Sequence, residues 1–213
     1  MTTLIDITRR LGEGLAVWPG DPEFRRRPVW RLEDGAPANV EELRMGTHAG
    51  THLDAPRHVL ADGAGPEAFP LAALVGPARV FDLAATLPGA RRVRAADLGA
   101  LDFAGVRRAI FKTSPTAPSG GGFESDYAFL GQDAAERLVA RGILLVGTDA
   151  MSVDPAGARD LRAHRRLLAG GVAILEGLEL GGAPPGDYEL LCLPLRIDGV
   201  DGVPARAVLR RFP

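Results

Sequence analysis

Short apolar runs rich in valine, isoleucine and leucine, broken every few residues by glycine or proline, set the pattern of this chain. Runs of this length with β-branched content predict strands. They fall at Leu4–Thr8, Pro28–Leu32, Val40–Gly46, Ala78–Asp82, Arg108–Thr113, Ile143–Gly147, Val172–Leu175, Tyr188–Pro194 and Ala205–Arg210. Helical spacing of apolar positions appears in three places: Ala95–Leu101, Gln132–Arg141 and Ala158–Ala169. The second carries Ala135, Leu138 and Val139 on one face and meets Gly142 as a stop; the third carries Leu161, His164, Leu167 and Leu168. Strands outnumber helices and the order is mixed. The pattern predicts an α/β fold with a substantial, partly antiparallel sheet or barrel. No G-x-G-x-x-G follows the first strand, which argues against a dinucleotide-binding fold. No repeat of fixed period and no linker-like run divides the chain, so residues 1–213 are expected to form one domain. The densest irregular stretch, Ser114–Ser125, reads as a functional or mobile loop.

Composition narrows the partners. The chain has 25 basic and 27 acidic side chains, a formal charge of −2, which gives no broad electrostatic reason for a nucleic-acid or membrane partner. Lys112 is the only lysine. No basic segment is followed by an apolar one at the start, and the twin Arg9–Arg10 lacks the apolar run of an export signal. No apolar stretch approaches a membrane span. A soluble cytoplasmic protein is expected. With Cys192 the single cysteine, disulfides within the chain and cysteine-rich zinc sites are excluded, so a metal would need nitrogen and oxygen ligands.

That makes the four histidines informative. His48, His52 and His58 lie within eleven residues, with Asp54 among them, in G-T-H-A-G-T-H-L-D-A-P-R-H. All four positions are even-numbered and would share one face of an extended chain. A straight strand would spread His48 and His58 over roughly 33 Å, too far for one site. The segment must bend, and Gly50 and Pro56 are where it can. Helix is disfavoured by the same residues. A strand leading into a tight loop, with His48, His52 and Asp54 converging, fits best. Imidazole and carboxylate suit zinc, manganese or iron, and an open catalytic site takes three protein ligands. Scattered surface histidines would not cluster in this way, and a structural zinc site would ordinarily use thiolates. The fourth histidine, His164, sits on the third helix; Glu176 closes the apolar run Val172–Leu175 and would be buried only if paired or metal-bound. These two form a plausible distant half of the site.

The segment H-A-G-T-H-L-D-A-P-R-H resembles the H-x-G-T-H-x-D-x-P-x-H motif of the metal-dependent cyclase family, which includes bacterial kynurenine formamidases and isatin hydrolases. V-W-P-G-D at 17–21, G-T-D-A-M-S-V-D-P at 147–155, H-R-R-L-L at 164–168, I-L-E-G-L at 174–178, G-D-Y-E-L-L-C-L-P-L at 186–195 and P-A-R-A-V-L-R at 204–210 are similar to the family's further blocks, in order. The resemblance implies a swivelling β/β/α fold, usually a homodimer or a dimer of dimers. It implies that His48, His52 and Asp54 bind a first metal and that Asp54 and Glu176 bridge to a second held by His164. By the same resemblance His58 is the general acid–base and Trp18 lines the pocket against an aromatic ring. The metal implied is zinc, or manganese as in isatin hydrolases. The activity implied is hydrolysis of a small aromatic amide, N-formyl-L-kynurenine first, with an isatin-type cyclic amide as the alternative. A non-catalytic metal- or ligand-binding protein is the remaining reading, and a spare acid–base argues against it. Pocket lining is expected from residues 18–27, Phe69 and the 114–127 loop. Cys192, in an apolar strand with no activating motif around it, is not expected to be a nucleophile.

Overall fold

Seven strands close into a ring. The computed structural model describes residues 3–87, 89, 91–114 and 122–212. Within these, the strands are β1 (Leu4–Asp6), β2 (Arg25–Trp30), β3 (Val40–Arg44), β4 (His52–Asp54), β5 (Val75–Asp82), β6 (Arg92–Val93), β7 (Arg108–Lys112), β8 (Phe129–Leu130), β9 (Leu145–Thr148), β10 (Ala173–Glu176), β11 (Gly186–Pro194) and β12 (Gly202–Arg210). The helices are α1 (Leu71–Leu74), α2 (Leu83–Thr86), α3 (Ala95–Gly99), α4 (Gln132–Ala140) and α5 (Arg162–Ala169). Pairing runs β12–β11–β5–β7–β9–β10–β4 and back to β12, and β1 pairs with the far end of β12. β5, β7, β9 and β10 run parallel; the other neighbours are antiparallel. This is the mixed, barrel-like α/β sheet that the pattern of apolar runs predicts.

Every residue of β9 and β10 is buried, as expected of parallel strands covered on both faces. On one side lie α4, which buries Ala134, Ala135 and Leu138, and α5, which buries Ala163, His164, Leu167 and Leu168. Leu138, Leu145, Leu167, Ile174 and Leu175 are all fully buried, each worth about 1.5–3 kcal/mol of removal from water. Burial on this scale makes the parallel strands a rigid base, and Glu176 stands at the end of one of them.

Several expected boundaries move. The helix expected over Ala158–Ala169 begins only at Arg162. Leu161 holds a left-handed backbone, φ 42°, and Asp154 takes the N–H groups of Ala163 and His164. The expected strand Pro28–Leu32 lies at Arg25–Trp30, and Val40–Gly46 stops at Arg44. These two pair only with each other and are exposed at every position, forming an arm outside the ring. The three-residue β4, the two-residue β6 and β8, and the single-turn α1 and α2 are too short to leave a period in the sequence. Of the loop expected at Ser114–Ser125, residues 115–121 lie outside the described residues. Among the described residues no helix is long and apolar enough to cross a membrane.

Candidate metal centre

β4 presents His52 and Asp54 on one face, two residues apart, while Leu53 between them is buried on the other. The register with β10 sets Glu176 directly across from His52. On the other flank, β12 sets Gly202 across from Asp54. The chain bends on either side of β4 at the two expected places. Gly50 has φ +67°, and Pro56 opens a short 3-10 turn that ends at His58. The expected order was a strand running into a loop; instead the strand lies between the two bends, with His48 in the turn before it. The approach to β4 is tight. A Cβ on Gly177 would lie 2.3 Å from the Gly50 carbonyl oxygen, so the residue after Glu176 and the residue two before His52 meet backbone to backbone.

Three histidines converge on the two carboxylates. His48 Nδ1 is 2.9 Å from Asp54 Oδ1. His52 Nε2 is 3.3 Å from the same oxygen and 3.6 Å from Glu176 Oε2. His164 Nε2, brought in by α5, is 3.3 Å from Asp54 Oδ2 and 3.2 Å from Glu176 Oε1. In each ring the other nitrogen faces an acceptor outside the cluster. These are Asp201 Oδ2 at 3.1 Å for His48, the Gly50 carbonyl at 3.0 Å for His52 and Asp154 Oδ2 at 2.7 Å for His164. An N–H held by an outer acceptor makes the inner nitrogen the one that binds a metal after losing its proton, the arrangement that orients metal-binding histidines.

Burial and charge agree with this geometry. Asp54 and Glu176 are buried, and their ion pairs run to histidines. Asp54 Oδ2 is fully buried with no aligned hydrogen-bond donor; His164 Nε2 lies near it without forming one. A buried carboxylate oxygen with no aligned donor is one that a bound cation would satisfy. Burial pulls the imidazoles down, but the hydrogen bonds to Asp54 and Glu176 prevail and raise His52 to about 10. Burial likewise opposes His164, whose pairing with Glu176, Asp154 and Asp54 raises it well above the ordinary value. Asp54, though burial pushes it up, is held well below the ordinary carboxylate range by His164, His48 and His52.

Imidazole nitrogen and carboxylate oxygen form a donor set for a divalent transition metal, and the residues fit one. Ligand atoms within 4.8 Å of one another come from His48, Asp54 and His58, and from His52, Asp54 and Glu176. His58 thus stands within ligand reach too. It differs from the other three in being more open, with 26% of its side chain exposed, and its closest carboxylate is Asp201, 3.8 Å from Nδ1. Its ring lies 4.3 Å from His48 and 5.5 Å from His164 between centroids. Burial lowers its pKa, so it is neutral near pH 7.

Elsewhere the expectations divide. Trp18 heads a turn whose Asp21 N–H bonds its carbonyl, and its ring packs edge-on against Phe123 at 4.9 Å. Phe69 is not a pocket residue: it is buried in the core. Cys192 is fully buried and pushed up to about 12 by that burial, the opposite of an activated thiol. A cavity of about 1180 Å³ opens beside Arg9, Thr113, Tyr127 and Met151, and no histidine of the cluster lines it. Two acidic residues escaped the sequence reading, Asp154 and Asp201. The signal for Asp154 is a carboxylate just upstream of a histidine-bearing helix. Asp201 has only the Asp-Gly pair that opens the last strand.

A family model described as a putative cyclase matches residues 5–155. A kynurenine formamidase of Salinibacter ruber (strain DSM 13855 / M31) is 45% identical over 213 residues, covering 99% of this chain and 98% of that protein. One of Maricaulis maris (strain MCS10) is 38% identical over the full length of both. Among solved structures, a potential metal-dependent hydrolase with cyclase activity superposes with a TM-score of 0.84 at 32% identity, over 100% of both chains. An isatin hydrolase bound to the product analogue thioisatinate gives 0.83 at 21% identity, over 100% of this chain and 93% of that one, which shows the shared fold.

Proposed function

The chain belongs to the putative cyclase family, and from that premise we propose that it is a metal-dependent amidase that hydrolyses N-formyl-L-kynurenine to L-kynurenine and formate. The observation that carries the reading is the match to a kynurenine formamidase at 45% identity along nearly the whole of both chains. Three histidines aimed at two buried carboxylates support it chemically. In this reading residues 1–213 act as one hydrolase domain, and the protein works as a homodimer or dimer of dimers.

His48, His52 and Asp54 would hold a first ion, and His164 and Glu176 would complete the ligand set for a second. Zinc is the metal of this reading, with manganese satisfied by the same ligands. A divalent ion held there would supply Lewis acidity toward a carbonyl and toward water. The remaining work falls to the chain. His58, neutral and partly open, takes the proton of the attacking water on its free imidazole nitrogen. It then returns that proton to the aryl nitrogen as the carbon–nitrogen bond breaks, so the amine leaves neutral. Trp18 offers a flat face to the aromatic ring and orients the formyl group.

The test is hydrolysis of N-formylkynurenine and of isatin by the same preparation, before and after treatment with a chelator. Formamidase activity that falls on chelation and returns with zinc supports the reading. Hydrolysis of isatin alone would shift it to cyclic amides. Hydrolysis of neither would return the protein to the class of metal- or ligand-binding proteins.

A further inference from the structure

We propose that Asp201 and Gly202, at the start of β12, act together as the device that positions His48. The inference rests on reading the cluster as a metal centre. Gly202 lies opposite Asp54 in the β4–β12 register, and the His48 ring lies directly over it. A Cβ at position 202 would come 2.5 Å from His48 Cε1 and 2.9 Å from each ring nitrogen. Gly202 is not among the glycines with positive φ, so its backbone does not require glycine. What requires it is the space the ring occupies.

Asp201 fixes the rotation of that ring. Its Oδ2 accepts from His48 Nε2 at 3.1 Å, its Oδ1 accepts from Thr47 Oγ1 at 2.9 Å, and its carbonyl accepts the Ala55 N–H at 2.9 Å. One residue thereby holds both ends of the segment 47–55 that carries His48, His52 and Asp54. With the Nε2 proton held by Asp201, Nδ1 is the nitrogen turned to the carboxylate cluster, 2.9 Å from Asp54 Oδ1, and the one free to bind a metal once its own proton is lost. Neither residue belongs to the eleven-residue histidine segment; Asp201 reaches His48 from 153 positions away. Asp201 is a positioning residue, as is the glycine after it.

The experiment is a chelator-buffered zinc titration of wild type, Asp201→Ala, Asp201→Asn and Gly202→Ala, with imidazole nitrogen NMR on the zinc-loaded wild type. Loss of an outer acceptor of this kind weakens metal binding by about 10–100-fold. That loss is expected for D201A. G202A is expected to weaken binding as well, since the added methyl displaces the ring rather than the backbone. D201N keeps a carbonyl oxygen for the Nε2 proton and should stay within about threefold of wild type, since the outer acceptor survives. The NMR should show His48 protonated at Nε2 with Nδ1 bound to zinc. Wild-type affinity in both D201A and G202A would overturn the inference while leaving the metal centre standing. So would D201N as weak as D201A, because lost charge rather than a held proton would then be the cause, or a wild-type His48 bound through Nε2. A wild type that binds no zinc would overturn the metal centre and this inference together.

Discussion

Zinc binding to the stripped protein should release protons, and the geometry says how many and in which direction affinity moves with pH. His52 is raised to about 10 by its bonds to Asp54 and Glu176, and His164 is raised well above the ordinary value by Glu176, Asp154 and Asp54. Both rings are therefore protonated near neutrality, and each must lose the proton on the nitrogen that faces the carboxylates before that nitrogen can bind an ion. For His52, three pH units between its pKa and neutrality amount to about 4 kcal/mol, or roughly a thousandfold in affinity at pH 7. His52 and His164 should each release about one proton when engaged, with a further contribution from His48, which burial pulls down but its bond to Asp54 raises, and the logarithm of the apparent affinity should rise by about one per pH unit for each proton released. Calorimetric titration in buffers of different ionisation enthalpy counts these protons directly. Affinity that is flat between about pH 6 and pH 8, with no buffer dependence of the heat, would refute the reasoning. The same shifts govern folding of the stripped protein. The His52 pairing stabilises fully below the imidazole's ordinary 6.5 and fades as pH rises through about 10. The Asp54 pairing stabilises above that carboxylate's ordinary 3.8 and fades as pH falls through its lowered value. Stability of the stripped protein should hence be greatest between about pH 4 and pH 6.5 and fall on both sides, as read by urea midpoints.

Three substitutions test the remaining roles. His58→Asn should leave zinc content unchanged and lower turnover by about 100- to 10,000-fold, the usual contribution of a general acid–base; wild-type turnover would remove it from the mechanism. Trp18→Ala should raise KM for aromatic amides with kcat and Tm little changed; a loss confined to Tm would make it a packing residue. Asp154→Asn should cost about 1–3 kcal/mol in urea unfolding of the stripped protein, because one of the three N–H groups now bound by the carboxylate must face an amide N–H₂. An unchanged midpoint would refute that accounting.

What the sequence disclosed about this site follows from distance along the chain. His48, His52, Asp54 and His58 share one short segment, so their clustering is visible as spacing, and the bends at Gly50 and Pro56 follow from residue type alone. Glu176 is visible because a carboxylate ending an apolar strand is anomalous, and its burial bears that out. The ring of strands is legible in outline because β5, β7, β9, β10, β11 and β12 each bury enough apolar side chain to leave a run. The start of α5 is not legible, because its cap is Asp154, eight residues before Arg162, and no local rule links the two. Asp201 and Gly202 are less legible still. A single aspartate among 27 acidic residues and one glycine among 27 carry no spacing signal. Their meaning arises only when β12 closes the ring against β4 and brings Gly202 beneath His48. The inward-facing histidines and carboxylates are thus local or chemically conspicuous, whereas the groups that hold them in place are supplied by strand pairing. Closure of the barrel is therefore part of the chemistry: without the β4–β12 pairing, His48 loses both the acceptor that fixes its proton and the space its ring fills.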